Sequence, residues 1–230
     1  MSILNSLAQQ MLQAATITAV RRVARHTYQI TLASPALALP TYVPGQTLNV
    51  FFDLSGPTAA LRKRTYSIWH HDPAGPSVEL AVCTFSDGPG ARWAARCQPG
   101  DVVHFHGPGG KFVLDTTAPA YALFGDISCL SHLYALRRHL PAGAPVVSVV
   151  HAPHADDCFP DLDGTFPLDF VVADTLSAAE YVAAAEARGR QLARELVYWG
   201  GPQATCVTGH RLLQQRQWPA ALLKTKPFWK

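Results

Sequence analysis

"APAYALFGDISCLSHLYALRRHL", residues 118–140, is the stretch on which the fold turns. It opens with the continuous apolar run "AYALFGD", which suits a strand covered on both faces inside a parallel sheet. It continues into "SCLSHLYALRRHL", where Leu130, Leu133 and Leu136 recur at helical spacing. Arg137, Arg138 and His139 follow near the end, where cations complement a helix dipole. A buried strand feeding a helix is the first half of a strand–helix–strand unit. Downstream, "APVVSVVHA", "PLDFVVAD" and "ELVYWGG" repeat the apolar-run pattern. Between them, "SAAEYVAAAEARG" carries a capping-box signature, Ser177 with Glu180, and Gly189 at its end. The spacing therefore predicts a C-terminal α/β domain.

Upstream of this stretch the period is two. "TYQITLA" puts Tyr28, Ile30 and Leu32 on one face, "TLNVFF" puts Leu48, Val50 and Phe52 together, and "VELAVCTF" does the same with Val78, Leu80 and Val82. "DVVHFHG" follows. Turn signals separate these runs at Pro44-Gly45, Pro73 to Pro76, Pro99-Gly100 and Gly107 to Gly110. Short alternating strands at this spacing read as a small antiparallel barrel. The change of period puts the domain boundary near Thr116 to Pro119, giving domains 1–117 and 118–230. Leu4, Leu7 and Met11 lie at helical spacing and predict a short N-terminal helix packed on the body.

Composition narrows the function classes. Of 230 residues, 48% are hydrophobic and 15% charged, which supports a packed core. The net charge is only +3 and no basic run is long enough to track phosphates, which argues against nucleic acid as a partner. No segment approaches a membrane span, and the N-terminus lacks the basic and long apolar regions of a signal peptide. The five cysteines are scattered with no C-x-x-C, which predicts reduced thiols in a cytoplasmic protein without its own iron–sulfur cluster.

The barrel half holds the chemistry. "LRKRTYSIWHH", residues 61–71, sets Arg64, Thr65, Tyr66 and Ser67 in a strand-like run. Guanidinium geometry suits an anionic phosphate, a tyrosine ring suits a flat partner, and a serine hydroxyl suits a polar ring edge. "DGPGARWA", Asp87 to Ala94, then places a glycine turn at Gly88 and Gly90 before a helical run starting near Ala91. Backbone N–H groups there suit phosphate. A flavin dinucleotide meets all of these requirements. A solvated edge strand and an ordinary turn account for either motif taken alone. Two other features read blandly: "HAPHADDC", residues 151–158, as a polar loop after a strand, and Lys224, Lys226 and Lys230 as a solvated tail.

The ordered set "YVPGQTLNVFF", "RTYS", "GPGARWA", "QPGD", "GPGGKF", "LFGD" and the terminal "KPFWK" resembles the ferredoxin–NADP reductase superfamily. More narrowly it resembles the siderophore-interacting proteins, which are ferric-siderophore reductases. The likeness runs from about Ala15 to Lys230. It implies a six-stranded antiparallel FAD-binding barrel followed by an α/β domain with a mostly parallel sheet. It implies FAD as cofactor, NAD(P)H or a ferredoxin as electron donor, and reduction of a ferric siderophore or another anionic ferric chelate. Carried over by position, Arg64, Thr65, Tyr66, Ser67, Thr84, Gly88, Gly90, Ala91 and Trp93 are the expected cofactor contacts. Thr84 stands where many relatives have a histidine, and Trp69 where many have a second arginine. Lys224, Lys226 and Lys230 are the expected chelate contacts. Gly125, Gly200 and Gly201, at predicted strand C-terminal ends, are the expected donor contacts.

The second domain departs from the family pattern. "GDISCLS" lacks the acidic residue and proline that relatives carry there, and no G-x-G-x-x-G is present. Two other functions therefore stay open: a general flavin reductase serving an oxygenase, to which "GGP" at residues 200–202 leans, and a non-redox chelate carrier on a degenerate reductase scaffold.

Overall fold

The computed structural model describes residues 12–52, 63–188, 192 and 194–229. The N-terminal helix expected from Leu4, Leu7 and Met11, the cap at Gly189 and the terminal Lys230 lie outside the described residues. The chain divides into two compact units, Met1–Lys111 and Phe112–Lys230.

The first unit is an antiparallel sheet of β1 (Gln13–Ala24), β2 (Thr27–Ala33), β3 (Thr47–Phe51), β4 (Lys63–Ser67), β5 (His70–Asp72), β6 (Ser77–Cys83) and β7 (Val102–Gly109). Its order is β4-β3-β7-β1-β2-β6-β5, so the two edges are consecutive in sequence. The chain between them closes the sheet: Ile68 N–H donates to the Gln46 carbonyl before β3, and Trp69 N–H donates to Glu79 on β6. β4 and β5 are thus one bent run crossing from one edge to the other, which yields the expected six-stranded barrel. Its interior is the alternating apolar set read from sequence: Ile30, Leu32, Leu48, Val50, Val78, Leu80 and Val82 are all fully buried. Trp69, at the crossing, is 1% exposed, and its neighbour Ile68 joins the barrel core.

Among the described residues of this unit, one α-helix forms, the short α1 (Pro89–Ala94). Gly88 is its extended N-cap and Pro89 its first residue, the position at which proline's missing N–H costs nothing. Gly90, Ala91 and Ala94 form its buried side.

The second unit is a sheet of five strands, all parallel: β8 (Tyr121–Asp126), β9 (Val146–Ala152), β10 (Phe170–Val172), β11 (Leu196–Pro202) and β12 (Leu223–Trp229). The order is β10-β9-β8-β11-β12. β8 and β11, the central pair, are buried along nearly their whole length, as their apolar runs require. "PLDFVVAD" forms only the three-residue β10, and Val172 is 52% exposed. Its apolar run sits on an edge, where just one neighbour covers it. The helices are α2 (Leu130–Arg138), entered through a 3-10 turn at Ile127–Cys129, α3 (Ala178–Glu186) and α4 (Gln203–Gln215). The capping box forms as read: Glu180 N–H donates to the Ser177 hydroxyl, and Ser177 N–H donates to the Glu180 carboxylate. Residues 113–121 are tied to this unit through Tyr198, whose hydroxyl donates to the Val113 carbonyl and accepts from Asp115 N–H.

Strand order reverses around β8, since the chain moves from β8 outward to β9 and β10 and then returns to β11 on its other side. In open α/β sheets the crevice at such a reversal, at the strand C-terminal ends, is where ligands bind. Gly125, Asp126, Gly200 and Gly201 occupy that end of β8 and β11.

Candidate flavin site

β3 and β4 pair with Leu48 opposite Tyr66 and Val50 opposite Arg64. Strand alternation therefore puts Arg64 and Tyr66 on the face that carries the core residues Leu48 and Val50, under α1. Thr65 and Ser67 fall on the other face. The Thr65 hydroxyl donates to Asn49 Oδ1 at 2.7 Å, and Ser67 is 6% exposed.

Tyr66 is held in an aromatic cluster with Phe52, at 6.3 Å between ring centroids, and Trp93, at 6.1 Å. Phe52 and Trp93 lie 4.9 Å apart. Gly90 is what lets α1 come this close. A Cβ there would run into the Tyr66 hydroxyl and stand 3.2 Å from Arg64 Cγ and 3.5 Å from Phe52 Cζ. Gly88, two residues earlier at the N-cap, faces the guanidinium: its Cβ position is 3.9 Å from Arg64 Nη2. Burial raises the Tyr66 phenol well above its ordinary range, with Arg64 opposing weakly, so the ring stays neutral. Arg64, Tyr66, Gly88, Gly90 and Trp93 are thus one constellation, with Ala91 buried behind it on α1. Thr84 is used differently, since its hydroxyl and its N–H both donate to the His26 carbonyl.

An exposed arginine beside a glycine-opened helix start, with a tyrosine on the same strand face, fits a flavin dinucleotide's phosphates and ring. Next to it is a cavity of about 590 Å³ lined by Phe52, Arg92, Trp93, Arg96, Cys97 and Asp101. Phe52 had read simply as the last core position of "TLNVFF", and Arg96 carried no signal of its own. Burial and the nearby Asp101 push the Cys97 thiol up to about 11, so it is not a thiolate nucleophile at neutral pH.

In the second unit, the expected donor glycines are closely packed. Gly125 abuts Cys129 and Leu133, and Gly200 abuts Cys129 and Phe228. Gly201 has φ of +121° and faces the Asp126 carboxylate. Asp126, which sequence reading passed over, is 6% exposed. It accepts from Ser128 N–H and hydroxyl, and its Oδ2 accepts from Trp229 Nε1 at 2.9 Å. Burial raises its pKa, and the Ser128 and Trp229 hydrogen bonds hold it back. The expected chelate lysines also have partners: Lys224 Nζ lies 3.2 Å from Asp115 Oδ2, and Lys226 Nζ lies 5.2 Å from the Phe228 ring centroid. Partial burial lowers the Lys226 pKa.

In the 151–158 loop, His151 Nε2 bonds the Ala173 carbonyl and Asp157 is fully buried in a 3-10 turn. Among the described residues, no helix is long and apolar enough to cross a membrane.

Residues 56–112 match the family model for the siderophore-interacting FAD-binding domain. Three solved structures are similar over nearly the whole chain. The siderophore-interacting protein of Aeromonas hydrophila is 22% identical, with a TM-score of 0.77, over 95% of this chain and 91% of that one. A siderophore utilization protein from T. fusca is 19% identical, with a TM-score of 0.77, over 95% and 92%. The ferredoxin reductase in carbazole 1,9a-dioxygenase is 17% identical, with a TM-score of 0.77, over 94% and 69%. At such identities the likeness is one of fold. The family model supports FAD as the cofactor of the first unit. The resemblance seen in the motifs is therefore borne out: residues 56–112 match the model of the siderophore-interacting FAD-binding domain, and the chain is folded like the siderophore-interacting proteins and ferredoxin reductases.

Proposed function

We propose that the protein is an FAD-dependent reductase of ferric siderophores or other anionic ferric chelates. The observation that carries the flavin half is the convergence of Arg64 and Tyr66 on β4 with Gly90 and Trp93 on α1, inside the matched FAD-binding domain. FAD held there would supply both one- and two-electron chemistry, so that either a one-electron or a two-electron donor could serve the single-electron reduction of Fe(III). The protein's residues bind and orient; the iron step needs no acid or base from them. Arg64 holds the pyrophosphate, Gly88 and Gly90 let backbone N–H groups approach it, and Tyr66 closes the flat wall. Lys226 and Lys230 draw an anionic chelate by charge.

Packing of Asp126, Cys129 and the Phe228-Trp229 pair around Gly125, Gly200 and Gly201 favours a donor that does not lie in the sheet's crevice. A ferredoxin meets that condition better than a pyridine dinucleotide. An electron-transfer role for an oxygenase is the second reading, favoured by "GGP" at residues 200–202 and by the likeness to the carbazole dioxygenase reductase.

Two outcomes are expected. Arg64→Ala lowers FAD affinity about tenfold or more, because a charge-assisted contact worth about 1.5–3 kcal/mol is lost. Fluorescence titration of the flavin-stripped chain reads this, and unchanged affinity would remove Arg64 from the site. In the second experiment, protein reduced anaerobically by ferredoxin, NADH or NADPH is mixed with ferric chelates of graded charge. Flavin reoxidation should be fastest with the most anionic chelate. Replacing Lys226 and Lys230 by Gln should slow that reaction several-fold at low salt, and the effect should shrink as salt screens it. Equal slowing for neutral and anionic chelates would exclude the tail as their entrance. No reoxidation by any ferric chelate would favour the oxygenase reading.

A further inference from the structure

We propose that His104 and His106, on the outer face of β7, hold a divalent transition-metal ion between them, and that Fe(II) leaving a reduced chelate is its occupant. The ion site stands on the geometry of β7 alone. The naming of Fe(II) rests on the ferric-chelate reading above.

The run "VVHFH", residues 102–106, alternates strictly. Val103 is 4% exposed and Phe105 0%, so both face the barrel core. His104 and His106 therefore project from the opposite, outer face, the first half-buried and the second exposed. Two residues along an antiparallel strand advance about 7 Å. An imidazole together with a metal–nitrogen bond of about 2.1 Å spans more than half of that, so two rings at this spacing close on one ion. The backbone beneath them is fixed from both sides. β7 pairs with β1 through His104 and Ala14, and with β3 through His104 and Phe51 and through His106 and Asn49. Side chains on such a strand are placed more precisely than side chains on a loop.

The surroundings leave these rings to an ion. Ala14, opposite His104, is exposed and offers only a methyl group. Asn49, opposite His106, has its Oδ1 engaged by the Thr65 hydroxyl at 2.7 Å. Other histidines have structural employment: the rings of His71, His139 and His151 each bond a backbone carbonyl. Among the described residues, neither His104 nor His106 has a hydrogen bond or an ion pair through its ring. Paired imidazoles suit borderline divalent ions such as Fe(II), Co(II), Ni(II) and Zn(II). Trivalent iron prefers the anionic oxygen donors of its chelate, so the pair takes iron in its reduced form only. Among the described residues, no third His, Cys, Asp or Glu completes a cage. Water fills the remaining positions, and the ion exchanges readily, as a transfer site requires and a closed structural site does not.

The test titrates Co(II) into the full chain, free of any affinity tag, with calorimetry for uptake and NMR of the imidazole resonances for position. Paramagnetic broadening should be strongest at His104 and His106. His104→Gln and His106→Gln should each weaken Co(II) about tenfold or more, because loss of one donor ends the chelate. Ni(II) should bind more tightly than Co(II), as the usual order of divalent ions requires. Fe(II), added anaerobically, should displace Co(II) from the wild-type chain. Broadening centred on other histidines, or wild-type Co(II) affinity in either variant, would overturn the site. Fe(II) that fails to displace Co(II) would overturn Fe(II) as the occupant. Co(II) binding at the pair in a protein that reduces no ferric chelate would overturn the reductase reading, and the Fe(II) assignment with it.

Discussion

The second unit is expected to lose stability steeply as pH falls below about 6.5, the ordinary imidazole range, and His132→Phe is expected to remove most of that loss. His132 is completely buried in α2. Its ring stacks on Phe112 at 4.9 Å and meets the edge of Phe228 at 5.5 Å. Burial is the largest influence on it and the Lys226 cation the second; together they lower its pKa to about 3, against a weaker pull from a Phe112 backbone hydrogen bond. An unfolded histidine takes up its proton near 6.5, whereas the folded one resists until about 3. Within that window the unfolded state binds more protons, so stability falls as pH falls. The limiting slope is about 1.4 kcal/mol per pH unit. Denaturant titrations at a series of pH values read the slope, and NMR of the imidazole reads the pKa directly. Parallel slopes for wild type and His132→Phe, with an imidazole titrating near 6.5, would refute the assignment. The effect reaches the proposed chelate end of the molecule, because Phe228 and Lys226 on β12 are the groups that a charged His132 would displace.

Gly209→Ala is expected to destabilise the second unit by about 2 kcal/mol or more, against the usual helix-forming gain of about 1 kcal/mol for that change. Gly209 is on α4, facing the indole of Trp199 on β11. A Cβ there would stand within 2.7 Å of three carbons of the six-membered ring. The indole cannot retreat. It is 0% exposed, with Phe124 at 5.1 Å and Tyr181 at 5.3 Å. Thermal unfolding should show a midpoint several degrees lower. The double variant Gly209→Ala with Trp199→Phe should recover much of the loss, since the smaller ring vacates the contested volume. Wild-type stability in the single variant would show that the helix shifts freely on the sheet.

Period alone carried much of the architecture. Val78, Leu80 and Val82 alternate because one side of β6 faces the barrel core, and that alternation is written in the chain whatever strand lies beside it. Apolar runs such as "AYALFGD" and "ELVYWGG" likewise required strands covered on both sides. "RTYS" and "GPGARWA" named most of the candidate flavin site, because a phosphate-binding turn and a strand arginine are local devices. What remained depended on contacts between distant segments. Nothing local reveals that β4 and β5 are one bent run closing the barrel, since closure is a property of the whole sheet's order. Phe52 became a cavity wall only when the end of β3 met Trp93 on α1. Asp126 and Trp229 are brought together by parallel strands whose C-terminal ends share one side of the sheet. His132 lies outside the Leu130, Leu133 and Leu136 stripe, and it is buried only because the segment at Phe112 and the end of β12 cover the second flank of α2. A sequence pattern records which face of an element is apolar. Which remote element comes to cover it, and so which polar group loses its water, is decided by the packing.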